Sequence, residues 1–336
     1  VTLADSLSKH ENEVTALGIL SRTKSMVHPA LEAVSHRLSP EIQPLVRHHL
    51  AAGGKYVRAA LALLSTSAAG AEEPVGLVGA LAIELVHNFS LIHDDIIDRD
   101  VERRHEPTLW AKYGVGPALI AGDALSALAF QLLLEEPTPE RVRAAQLLAD
   151  AVQSMIAGQA EDMASEHKPF LTVEECLQME AGKTGALLAC AASIGAVLAG
   201  ADEVTVKALT QYGDHLGIAF QAIDDMLGVW GDPSTTGKPV GNDLRLRKKT
   251  LPISIAYSKG FDVFAEAANP LDEQLSDDAV NEAMVLLDEC GARYETMELA
   301  GKELEAALAA LDGATIVDAA RAELIVTARF VVERDL

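Results

Sequence analysis

The chain has 336 residues, a formal net charge of −23, and 49% hydrophobic but only 4% aromatic residues. Alanine and leucine dominate the apolar set, the composition of closely packed helices rather than of sheet. With one short basic run, RLRKK at 245–249, so acidic a chain disfavours nucleic acid or an anionic membrane as the main partner. Local cations or metal ions can still hold a small anionic substrate. Cys176, Cys190 and Cys290 are widely spaced without a CxxC pattern, which indicates neither a disulfide framework nor a thiolate zinc site and fits a reducing cytoplasm. VTLADSLSKHENEV at the start has no basic region leading into an apolar stretch, so it does not read as a signal peptide.

Apolar residues recur at helical spacing almost throughout, and no segment reads as a convincing strand. Breaks fall at AAGGK (51–55), AAGAEEPVG (68–76), EEPTPE (135–140), SEHKPFLT (165–172) and GDPSTTGKPVGND (231–243), and none resembles an interdomain linker. A single all-helical domain over residues 1–336, with ten or more helices, is the expectation. In chain order, GGKYVR (53–58) comes first and places Lys55 and Arg58 at a predicted helix start, where backbone N–H groups favour anions. GALAIELVHNFS then runs into LIHDDIIDRD (91–100). Asp94 and Asp98, four apart, differ by about 40° on an ideal helix, with His87 on the same stripe. Like charges at that spacing repel; a hard divalent cation removes the penalty, and oxygen-only ligands suit Mg²⁺. The plainer reading is a solvated helix end paired to Arg99, Arg103 or Arg104. PTPERVRAAQLLADAVQSMIAG begins the next long helix cleanly.

AGKTG (181–185) offers the last residues of a phosphate-binding loop, but the required first glycine falls on Leu177 and no strand precedes it. Ala186 to Ala201 is shorter than a bilayer span needs, about 20 residues, and reads as a buried helix, so no transmembrane segment is expected. His48–His49 and His87/His93 lack the further ligands of a zinc site. A second acidic pair, Asp224–Asp225 in FQAIDDMLG, echoes the first at the end of another apolar run. Two such clusters predict two helices facing each other across a cavity, with metal ions bridging a polyanionic ligand. Segment 231–243 is longer than a usual helix connection and suits a loop that closes over substrate.

Together, Gly53-Gly54-Lys55 with Arg58, Asp94-Asp95-x-x-Asp98 with Arg103-Arg104, Lys183-Thr184, Gln221 with Asp224-Asp225, and GKPVGNDLRLRKKTLP (237–252) resemble the trans-isoprenyl diphosphate synthases. The resemblance implies an all-α isoprenoid synthase fold, a homodimer, and condensation of an allylic diphosphate with isopentenyl diphosphate. It further implies Lys55, Arg58, His87 and Arg104 on isopentenyl diphosphate. Asp94, Asp98 and Asp224 would ligate Mg²⁺, three ions per site. Arg103, Lys183, Thr184, Gln221 and Lys238 would complete the allylic site, with Lys248 closing over it.

Two departures stand out. Position 228 is Gly where the family's second motif usually ends in Asp, so weaker metal binding is expected. The usual GGKRxRP is here GGKYVRA. In the family the residues before the first Asp motif line the floor of the chain cavity. Phe89 and Ser90 there resemble enzymes that stop at the C20 product, geranylgeranyl diphosphate, with farnesyl diphosphate as the alternative. A class I terpene cyclase would usually lack the Lys55/Arg58/Arg104 set, and a non-catalytic partner subunit would have lost the first Asp motif.

Overall fold

The computed structural model describes residues 15–166, 168–233, 239–264 and 274–333. Lys238, in the 231–243 connection, lies outside the described residues. As expected the fold is all-α; among the described residues the one departure is a two-stranded antiparallel hairpin, Glu102–Arg103 with Glu106–Pro107. Cα packing divides the chain into two compact units, each discontinuous in sequence.

The first unit is built from residues up to Ala145 with Ala191–Val206 and Gly313–Phe330. Its centre is the helix Val57–Ala68, in which Ala59 through Thr66 are buried on every side. So complete a burial requires small residues on the neighbours. Gly76 of helix Glu73–Ile97 and Gly195 of helix Ala186–Leu198 both lie against its second turn, at Ala62 and Thr66. The Gly195 N–H donates to Ser65 Oγ at 3.1 Å, and the Ser65 and Thr66 hydroxyls donate back to the Ala62 carbonyl. Every polar group in this packed spot therefore has a partner, as burial demands.

The second unit comprises Gln146–Cys190 and Lys207–Asp312, with the chain's last residues. Thr172 and Glu175 form a reciprocal capping box that starts helix Val173–Glu180, satisfying two otherwise orphaned N–H groups. AGKTG follows as a π-turn, Ala181–Gly185, inserted between that helix and Ala186–Leu198. The wider turn packs only because two glycines approach it. A Cβ on Gly158 would meet Lys183 N at 2.3 Å, and one on Gly217 would meet Gly185 Cα at 2.6 Å.

By length and composition alone, three helical runs could cross a membrane: Glu73–Ile97, Val115–Leu134 and Val173–Leu198. The stretch 186–201, read from the sequence as a short buried helix, belongs mostly to the longer run Val173–Leu198. In this fold the first and third runs spend their apolar surface on the core, with 61% and 72% of their most apolar windows buried.

The close approach at Gly195 yields a stability prediction. A Cβ there would lie 2.0 Å from the Ala62 carbonyl oxygen and 2.3 Å from Thr66 Oγ1, and backbone cannot yield as a flexible side chain would. Gly195→Ala is expected to lower the urea midpoint by the equivalent of about 1–3 kcal/mol with m unchanged. Gly301→Ala, on an exposed helix face with nothing within 4 Å of the new Cβ, should instead gain about 0.5–1 kcal/mol. Equal midpoints for the two variants would rule out this account of the packing.

Candidate active site

In the first unit the cationic residues converge. Tyr56, in the left-handed region at φ 54°, caps helix Val57–Ala68. It is buried and shares a 2.8 Å hydrogen bond with His28 Nδ1. This backbone is costly for a non-glycine residue, about 1–3 kcal/mol, and burial with the His28 bond holds it, fixing the turn between Lys55 and Arg58. Arg58 Nη1 lies 3.4 Å from His87 Nε2. A guanidinium only donates, so His87 accepts at Nε2 and carries its proton on Nδ1. Desolvation, then the charges of Arg58 and Arg104, hold His87 well below its ordinary pKa and therefore neutral. Glu84 is the buried counter-charge. Burial pushes its pKa up, Arg58 opposes that shift, and its Oε1 accepts from the Ala59 N–H at 3.2 Å. A proline at position 59, the family's usual residue, would have no N–H to give.

Arg104 arrives from the hairpin. Arg104 and His105 are its two central residues, both at positive φ (54° and 65°), the geometry of a tight two-residue turn that usually takes Asn or Gly. Strain of this kind is stored where the surroundings over-determine it. The turn is held from its base, where Thr108 Oγ1 and Trp110 Nε1 both donate to the Asp100 carbonyl at 2.8 Å. The Arg104 guanidinium packs beside Gly54, 3.5 Å from where a Cβ would stand.

Asp94 lies on the last turn of helix Glu73–Ile97 and Asp98 is its C-cap residue, with the Asp98 N–H donating to the Asp94 carbonyl at 2.8 Å. That end carries the negative pole of the helix dipole, and its last turn holds no basic residue. Carboxylates there are doubly disfavoured, which fits a site for divalent cations; Asp98 is exposed and Asp94 half-buried. Asp95 points elsewhere. It is 1% exposed and accepts from Arg103 Nε at 2.7 Å. Burial raises its pKa to about 6 against the opposing pull of Arg103. The plainer reading of an Asp–Arg ion pair is thus right for Asp95.

The second unit gathers the remaining residues along a relay. Thr184 Oγ1 donates to Gln221 Oε1 at 2.9 Å, and Gln221 Nε2 donates to Asp225 Oδ1 at 3.0 Å. The Leu251 N–H donates to Asp225 Oδ2 at 2.7 Å. Both lone-pair faces of Asp225 are used, and the relay orients the Gln221 amide. Asp224, half-buried, is left on the adjacent face. Lys183 Nζ makes a 2.6 Å ion pair with Asp162.

Beneath Asp225 lies Glu180, 4% exposed, whose Oε1 accepts from Cys176 Sγ at 3.1 Å. One ligand atom from each of Cys176, Glu180 and Asp225 lies within 4.8 Å of the others. Burial, then the charge of Asp225, drives Glu180 well above the carboxylate range, and burial raises Cys176. A protonated thiol and a protonated carboxyl make this a hydrogen-bonded hub. Asp94 and Asp98 in the first unit and Asp224 in the second carry carboxylate oxygens of the kind Mg²⁺ prefers. A separate cavity of about 670 Å³, lined by Phe261, Val263, Leu275 and Leu286 among others, contains none of the candidate site residues.

The sequence reading did not find Glu84, Asp162, Glu180 or the role of Tyr56. Each acts through a contact 21 or more residues away in the chain or through burial, which local spacing does not encode. Lys248 is exposed.

An all-helical fold with a cluster of buried cations and aspartates at helix ends is the pattern of an isoprenoid synthase type of protein. The sequence profile of polyprenyl synthetases matches residues 39–287. A (2E,6E)-farnesyl diphosphate synthase of Mycobacterium tuberculosis (strain ATCC 25618 / H37Rv) is 40% identical over 335 residues, covering 95% of this chain and 93% of that protein. A geranylgeranyl diphosphate synthase of the same strain is 39% identical over 313 residues, covering 88% and 89%. The crystal structure of a polyprenyl synthetase from Streptomyces coelicolor A3(2) superposes with a TM-score of 0.89 at 44% identity, covering 94% of this chain and 99% of that one. The chain belongs to the polyprenyl synthetase family of trans-isoprenyl diphosphate synthases.

The cationic cluster also sets a pH dependence. Burial, then the charges of Arg103 and Arg104, lowers His49 from 6.5 to about 4. Between those values the unfolded chain takes up a proton that the folded chain refuses, so stability falls as pH drops from 6.5 towards 4 and is unaffected by this group above pH 7. His49 retains some solvent exposure, which reduces the effect to about 1–3 kcal/mol. Urea midpoints measured across pH 4–7 should show this loss in the natural chain and a flatter profile in His49→Gln. An unchanged slope in the variant would remove His49 as its cause.

Proposed function

We propose that this short-chain trans-prenyltransferase condenses isopentenyl diphosphate with dimethylallyl, geranyl or farnesyl diphosphate, giving geranylgeranyl diphosphate and pyrophosphate. The observation that carries the two-substrate reading is the first-unit cluster. Arg58, Arg104 and neutral His87 are gathered beside a strained cap that presents Lys55, separately from the carboxylates of Asp94 and Asp98. A class I cyclase acts on one diphosphate and has no use for a second anion pocket.

In this reading Lys55, Arg58, His87 and Arg104 hold isopentenyl diphosphate. Arg103, Lys183, Thr184, Gln221, Lys238 and Lys248 hold the allylic diphosphate. Asp94, Asp98 and Asp224 ligate Mg²⁺, three ions per site. Bound Mg²⁺ supplies positive charge against the negative charge that develops on the departing pyrophosphate. The lysines and arginines add fixed charge at the same place, where preorganised groups count most. Lys183, held by Asp162, and Gln221, held by Thr184 and Asp225, need little reorganisation to do this. The isopentenyl alkene attacks the allylic cation, and the proton then lost goes to the departing pyrophosphate. Charged groups stay on the diphosphates while the prenyl chain requires apolar walls that keep water from the cation.

Product length rests on Phe89. Its ring meets His93 edge-on with centroids 4.8 Å apart, and His93 in turn fills the space outside Gly122, where a Cβ would lie 2.4 Å from Nε2. Phe89 is therefore backed rather than loose, as a stop to chain growth needs. Ser90 turns its hydroxyl back to the His87 carbonyl. Farnesyl diphosphate is the alternative product, since synthases of both kinds match this chain at 40% and 39% identity. We take residues 1–336 to act as one catalytic domain, because neither compact unit is a continuous stretch of chain. A cytoplasmic homodimer is the proposed state. Val115, Leu119 and Ile120, all exposed at the start of helix Val115–Leu134, support a partner on that face.

Incubation with Mg²⁺, isopentenyl diphosphate and each allylic primer, with products resolved by length, is expected to give C20 product from all three primers. No elongated product from any primer would sink the proposal. Phe89→Ala should lengthen the products, and an unchanged distribution would assign the stop to another residue.

A further inference from the structure

Glu180 is a buried acid with no part in the chemistry proposed above. It ends helix Val173–Glu180, directly before the π-turn that carries Lys183 and Thr184, and is 4% exposed. Its Oε1 accepts from Cys176 Sγ at 3.1 Å. Its Oε2 is buried and, among the described residues, receives no hydrogen bond from an N–H or a hydroxyl. The neighbour on that side is the Asp225 carboxylate, which is hydrogen-bonded to the Glu180 carboxyl. Burial, then the charge of Asp225, favours the neutral form of Glu180, so Glu180 is the donor of the two.

The other contacts of Asp225 give this bond its consequence. Asp225 Oδ1 accepts from Gln221 Nε2 at 3.0 Å, and Oδ2 accepts from the Leu251 N–H at 2.7 Å. The second contact starts helix Leu251–Ser258 in place of an ordinary cap. Thr250, at the cap position, makes no side-chain bond to the helix, and among the described residues its buried hydroxyl has no partner. Lys248 stands two residues before Thr250. Gln221 Oε1 is held by the Thr184 hydroxyl at 2.9 Å, and one of its two Nε2 hydrogens goes to Asp225. The direction of the remaining N–H is then set by where those two partners stand.

We infer that Glu180 is a positioning residue for the allylic diphosphate: its carboxyl holds Asp225, which aims the free N–H of Gln221 at the diphosphate and anchors the helix that follows Lys248. This rests on the reading, given above, that Gln221 and Lys248 lie on the allylic diphosphate. Without the Glu180 donor, Asp225 is held in a dry place by two neutral N–H groups alone and is free to turn, and the Gln221 amide turns with it.

Steady-state kinetics on the full chain test this, with geranyl diphosphate and isopentenyl diphosphate each varied while the other saturates, and circular dichroism as the fold check. Glu180→Met, of similar size but without a donor, should raise KM for geranyl diphosphate by about 5–30-fold, the loss of one oriented hydrogen bond, while KM for isopentenyl diphosphate stays unchanged. Glu180→Gln is neutral, accepts from Cys176 at one atom and donates to Asp225 at the other, and should return the natural KM. A purely structural role would move both KM values together and would show no such rescue. A folded Glu180→Met with both values natural, or both raised alike, overturns the inference, as does a Glu180→Gln no better than Glu180→Met. Should Glu180→Met fail to fold, Glu180→Asp, which withdraws the carboxyl from Asp225 by one methylene, is read in the same way. Gln221→Leu separates the two levels. If it raises KM for geranyl diphosphate and Glu180→Met does not, only the present inference falls; if neither does, the place of Gln221 on the allylic diphosphate falls with it.

Discussion

Carboxylates at the C-terminal end of an apolar helix are the constraint on which the first unit turns. Asp94 and Asp98 repel one another at i,i+4 and both oppose the helix dipole. Asp95, between them, is buried and needs Arg103 to offset its desolvation. Arg103 must therefore be brought back beside the helix, and the short hairpin with two residues at positive φ does this. The same hairpin delivers Arg104 to the Gly54 turn. One electrostatic problem at the helix end thus dictates the loop that follows it, and the loop completes the cationic cluster.

In the second unit the organising feature is a buried acid pair. Glu180 and Asp225 cannot both be charged in so dry a place. With Glu180 protonated, Asp225 stays available to accept from Gln221 and from the Leu251 N–H. Asp225 thereby caps the start of helix Leu251–Ser258 and orients Gln221 together. The π-turn through Lys183 and Thr184 is held to the same network by the Thr184 hydroxyl. Adjacent aspartates, alike in sequence, do opposite work: Asp225 fixes structure while Asp224 is left on the adjacent face, half-buried.

The helical fold and the helix positions of the aspartate pairs were legible because helix periodicity and fixed motif spacings are local properties. The i,i+4 relation of Asp94 and Asp98 reads directly from the chain. What was not legible depends on distant partners. Nothing local marks Asp162 as the counter-ion of Lys183, or Glu84 as a buried carboxylate when it sits inside an apolar run. The hairpin at 102–107 has no Asn or Gly at its centre, so the usual turn signal is missing. Length and composition alone do not decide whether an apolar helix faces core or lipid, since its neighbours settle that.

The motif departures are informative once their neighbours are known. Alanine in place of proline at 59 exposes an N–H, and buried Glu84 is there to accept it. Glycine in place of aspartate at 228 opens a space, and the Asp243 carboxylate is in it. At 59 the change adds an N–H that a group 25 residues away accepts, and at 228 it leaves a volume that a group from a later segment fills. A motif mismatch is therefore weak evidence of lost function until the volume it vacates has been inspected.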